Sequence, residues 1–114
     1  MSGQSQGVEV DLSTLNAPPR EGGGVAHGAR LLAFVDAVMG GDDAALERER
    51  QALRGALAPD AFVDTCAVIG AFNVVDRIAD ATGIPLDEPM LAMSGDVRAE
   101  LDLARFRSSA NTPT

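Results

Sequence analysis

Four polar residues stand at helical spacing past the middle of the chain. Asn73, Asp76, Arg77 and Asp80 fall at i, i+3, i+4 and i+7, which puts them on one face of a helix. Two chemistries fit that pattern. An ion-pair ladder would anchor the helix to its neighbours. A polar rim on a pocket would instead let the Arg77 guanidinium hold an anion. Other chemically equipped side chains are few. Cys66 is the single cysteine, so no internal disulfide can form, and its apolar neighbours Phe62, Val63 and Ile69 predict a buried, inert thiol. His27 is the single histidine. It lies far from Cys66 in sequence, and the two give no zinc spacing, so no metal is expected. No serine stands in the strand–turn–helix setting of a nucleophile elbow. Gly22-Gly23-Gly24 follows no strand and is no dinucleotide loop. The residues therefore assign no catalytic group and imply no cofactor.

The helix that carries the stripe is the most apolar element of the chain. Pro59 suits its first turn. Gly83 and Pro85 stop it after about Thr82. Between these, Phe62, Val63, Cys66, Val68, Ile69, Phe72, Val74, Val75 and Ile78 cover nearly all sides, which predicts a central, buried helix, in a chain this short one enclosed partly by another subunit. Two helices precede it. In the first, Leu31, Leu32, Val35, Val38 and Met39 recur on one face until Gly40-Gly41. The second is capped by Asp42, with Asp43 favouring the positive end of the dipole. It turns Leu46, Leu53 and Leu57 inward and Glu47, Arg48, Arg50 and Arg54 outward. Glu47 and Arg50 can pair for a few tenths of a kcal/mol, roughly. After Leu86 a loop and a short helix follow, with Ser94 as the candidate cap and Val97, Leu101 and Leu103 inward.

The expected fold class is all-α, a small bundle of about four helices spanning residues 28–107. Residues 1–27 read as a flexible or extended arm, because the Ala17-to-Gly24 stretch is a cluster of helix breakers. Residues 108–114 read as a polar tail. Aromatics are 4% of the 114 residues, so the core must be aliphatic.

Net charge is −8, with nine arginines scattered along the chain and no lysine. Phosphate neutralisation needs clustered cations, so neither nucleic acid nor an anionic membrane surface is an expected partner. The longest nearly apolar run, Cys66 to Val75, is far short of the roughly 20 residues that span a bilayer. No secretory signal is read at Met1 to Gly7, and a lone cysteine fits a reducing compartment. The expected location is cytoplasmic.

The run from Ala61 to Asp87 resembles the C-terminal part of the alkylhydroperoxidase D-like proteins, the carboxymuconolactone decarboxylase superfamily. In that family a helix reading F-N-x-x-N-R-x-A-D-x-x-G closes the domain. Phe72, Asn73, Arg77, Ala79, Asp80 and Gly83 match it, and Asp76 stands where the family commonly has Asn. With similar helices on either side, the resemblance covers about two thirds of the chain. It implies an all-helical, oligomeric protein. Active members are peroxidases or thiol oxidoreductases that use C-x-x-C or C-x-x-H with an upstream Glu and a His relay. Here Cys66 is followed by Ala67, Val68 and Ile69, and residues 1–27 contain no cysteine. No catalytic residue carries over.

Three readings follow. The chain is a non-catalytic helical subunit, forming a homo-oligomer or pairing with a separate thiol-bearing helical chain. Alternatively, it is an enzyme of different chemistry with a pocket near Asn73, Arg77 and Asp80. In the third reading it is a peroxidase-related oxidoreductase by family membership.

Overall fold

A computed structural model of the chain describes residues 7, 9–15 and 22–112. The fold is all-α. Five α-helices run in order: α1 (Gly28–Met39), α2 (Asp43–Arg54), α3 (Pro59–Thr82), α4 (Glu88–Met93) and α5 (Gly95–Glu100). Three 3₁₀ segments accompany them, Leu12–Leu15, Leu103–Arg105 and Arg107–Asn111, and no strand occurs among the described residues. The chain divides into two compact units, Met1–Ile69 and Gly70–Thr114.

In the first unit, α1 packs on α2. The Asp42 carboxylate caps α2 as its sequence predicts, accepting from the N–H groups of Ala44 at 2.9 Å and Ala45 at 3.1 Å. These are donors that the first helical turn otherwise leaves without partners. Leu53 is 0% exposed and Phe34 3%, and they form the core. Phe62, early in α3, brings its ring to 5.7 Å from that of Phe34. The Arg54 guanidinium lies 5.7 Å from the Phe62 ring centroid, within cation–π range. Leu46 and Leu57 are half-buried beside this core.

Of the segment read as a flexible or extended arm, residues 7, 9–15 and 22–27 are described. There Gly22-Gly23-Gly24 forms a packed turn in which Gly22 and Gly23 are buried. Gly23 O accepts from Asp11 N at 3.0 Å, and Gly22 O accepts from Val25 N at 2.9 Å. A Cβ on Gly22, at φ +83°, would lie 2.5 Å from Ala29 N. Glycine is needed here both for the left-handed backbone and for the approach to α1. Val10, Leu12 and Leu15 line a shallow cleft of about 180 Å³ against Leu31 and Leu32.

In the second unit, Gly83 ends α3 at φ +67°. The Ile84 N–H reaches back to Ala79 O at 3.2 Å, the six-to-one bond of a Schellman stop. The segment read as a loop after Leu86 contains a helix, α4. Its cap is Asp87, whose carboxylate accepts from Met90 N at 2.8 Å. Ser94 does not cap α5. Its hydroxyl donates instead to Met90 O at 2.6 Å, closing α4 from behind. The stretch read as a polar tail includes Arg107–Asn111, and Thr112 Oγ1 accepts from Leu86 N at 3.0 Å.

The sequence predicts a central α3 enclosed partly by another subunit, and within the single chain none of its described residues is buried. Phe72 is 62% exposed and Ile78 54%, and Cys66 is exposed rather than enclosed in a core. An all-round apolar pattern records that a helix needs cover. It does not record whether that cover comes from the same chain. Within the single chain, no residue from 70 to 112 is buried at all.

Candidate functional site

The polar stripe lies on the second half of α3. Arg77 Nε donates to Asn73 Oδ1 at 2.6 Å, a bond between residues one helical turn apart. Among the described residues no ion pair joins Arg77 to Asp76 or Asp80. Asp76, Arg77 and Asp80 are exposed, and Asn73 is half-buried. In the single chain these four residues form a solvated helix face with one internal hydrogen bond.

The sequence allows a pocket near Asn73, Arg77 and Asp80. A cavity of about 830 Å³ in the second unit has Asp80 in its wall but not Asn73, Asp76 or Arg77. Ile84, Leu86, Leu103 and Phe106 give it an apolar lining, and α5 contributes Arg98. Sequence reasoning treated α5 only as framework and missed Arg98. One signal was available: Arg98 directly follows the inward-facing Val97 on a helix too short to turn both cleanly to solvent. Arg98 Nη2 donates to Leu91 O at 3.2 Å. Its Nε is buried and has no acceptor. A buried guanidinium N–H without a partner is uncommon in folded proteins and calls for a physical reason.

The other residues with candidate chemistry are dispersed. His27 is exposed and precedes α1 in the left-handed region, at φ 57°. No group of three or more His, Cys, Asp or Glu side chains is placed to hold a metal among the described residues. The letters G-x-S-x-G do occur, at Gly3 to Gly7, but residues 3–6 lie outside the described ones. The elbow mechanism also needs a strand, a turn and a helix, which a Ser/Gly/Gln-rich run does not spell.

Two carboxyls are held below their ordinary range by local bonds. Donation from the Gln51 amide is the main cause for Glu47; desolvation opposes it, and the Arg50 charge and hydrogen bond and the Arg54 charge add to the lowering. The Ser13 hydroxyl, then the Ser13 backbone N–H, does the same for Asp11. Both carboxyls are on the surface and serve local structure. Glu47 pairs with Arg50 as its spacing predicts.

No helix among the described residues is long and apolar enough to cross a membrane. Comparison of the chain with family models, curated proteins and solved structures finds no match in any of the three.

Proposed function

We propose that this protein is a non-catalytic helical subunit whose second unit is completed by a second copy of the same chain. One observation carries the reading: no residue from 70 to 112 is buried, although the segment holds Phe72, Val75, Ile78, Met90 and Met93, each about half exposed or more. A unit with no fully buried residue gains less of the hydrophobic free energy that must offset chain ordering than one with a sealed core. The second half of α3 presents Phe72, Val74, Val75 and Ile78 within two turns of one helix, the kind of contiguous apolar surface that marks an interaction site. Self-association through a two-fold axis is the simplest cover, because one patch then meets its own copy. A single exposed cysteine with no resolving thiol in the chain fits a structural role better than thiol redox chemistry.

The resemblance to the alkylhydroperoxidase D-like proteins supports the same reading from a different side. It rests on Phe72, Asn73, Arg77, Ala79, Asp80 and Gly83, and it implies helical oligomers with the catalytic thiols on a helix that has no counterpart in this chain. The proposed setting is the cytoplasm, where a free surface cysteine stays reduced. Light scattering of the full chain across micromolar concentrations tests the proposal. The expected mass is a multiple of 11.8 kDa. A mass that stays at one chain on concentration overturns it.

A further inference from the structure

We infer that two copies of the chain meet along one face of α3, with the two helices antiparallel and in a single register. This rests on the subunit reading and adds to it the residues and the direction of the contact. Val68, Ala71, Val75 and Ile78 follow one another at spacings of three, four and three, the a/d repeat of a helix seam. Phe72 and Val74 flank that line. All six are exposed in the single chain, and the five larger ones keep more than half of their surface in water. Ile69 and Asn73, the half-buried residues of this stretch, lie on the opposite side of the helix. The seam is therefore the side of α3 that its own chain leaves bare.

A second copy is the occupant that fits it. From Thr65 to Val75 no residue is charged. Two chains of net charge −8 can approach here without setting carboxylates against each other. Together with Ala67, the face leaves on the order of 500 Å² exposed per copy, about 1,000 Å² over a pair, which meets the lower bound for a specific interface. Side-chain size then sets the direction. In a parallel pair Ala71 would meet the partner's Ala71, leaving a gap between layers of larger residues. Reversing one helix about the level of Asn73 sets Val68 against the partner's Ile78 and Ala71 against the partner's Val75. Small then meets large, and the layers fill without voids. The same two layers recur on either side of Asn73, as a two-fold axis at that level requires. Opposed helix dipoles favour the same direction.

Disulfide trapping in the full chain tests the register. Cys66→Ser removes the native thiol, and light scattering records the mass of that protein. Val68→Cys and Ile78→Cys are then made separately on this background, with helicity checked by circular dichroism. Residues ten apart on a helix are separated by about 15 Å, beyond the reach of a disulfide. Neither variant should therefore link to itself under mild oxidation. A mixture of the two should give at least about fivefold more linked dimer than either alone. Asp64→Cys with Thr82→Cys repeats the test at the exposed ends of the seam, where the apolar residues stay untouched. A dimer in which Val68→Cys links to itself, or in which mixing gives no excess for either pair, overturns the antiparallel register and leaves the subunit reading standing. A one-chain mass overturns both.

Discussion

Phe72→Ala separates a covered surface from a bare one. Phe72 is 62% exposed in the single chain. An aromatic side chain buries about 150–250 Å² when fully enclosed, so roughly 120 Å² of Phe72 remains available for an interface. At about 25 cal/mol per Å² that is about 3 kcal/mol per copy if all of it is covered. A two-fold dimer buries two such side chains. If each is only half covered, the dimer loses about 3 kcal/mol, and its dissociation constant rises roughly a hundredfold. The fold of each chain should hardly notice, because Phe72 takes no part in the Phe34–Leu53 core. The assay is a dilution series by sedimentation or light scattering on both proteins, with helicity checked by circular dichroism. A dissociation constant that moves less than about threefold, with helicity retained, would show that this face is not the interface.

Leu53→Ala removes the one fully buried side chain among the described residues and should lower stability by about 2–4 kcal/mol in a urea melt, from lost transfer energy and the residual cavity together. Asp42→Ala leaves the Ala44 and Ala45 N–H groups without their acceptor and should cost about 1 kcal/mol in the same melt. Arg77→Ala should change stability by no more than about 0.5 kcal/mol, since the residue is exposed and bonds within its own helix; a larger loss would mean that the stripe is covered in the assembly. Ser13→Ala should raise the Asp11 titration midpoint toward the ordinary carboxylate value, followed by carboxyl NMR. In the unaltered protein the stabilisation from this bond is present above the unfolded-state pKa of Asp11 and is lost as pH falls through its lower folded value.

The sequence carried the helices whose ends are written in local chemistry. Asp42, Pro59 and Gly83 act through bonds within a few residues, so their roles could be read without tertiary knowledge. The α4 helix was missed because its cap, Asp87, stands two residues after Pro85 and only six helical residues follow before the next break, too few for an apolar period to show. Ser94 was misassigned because a serine between two helices can close one or open the other, and only the backbone path decides. At the candidate site, the spacing of Asn73 to Asp80 correctly gave a shared face. Which of these residues meets a cavity depends on where α5 and the C-terminal segment fold back, and only Asp80 does. The burial expected for α3 is not met within the single chain, because periodicity counts apolar positions and does not say what covers them.

The unequal cores of the two units bear on how a single copy of the protein would fare if it needs a partner. The first has a sealed centre at Phe34 and Leu53, while the second has none. A newly made copy without a partner would carry a first unit with a core and a second, apolar unit without one, the kind of surface that chaperones grip and proteases cut. Its lifetime in the cell would then follow the supply of other copies, so that surplus chains are cleared and assembled ones persist.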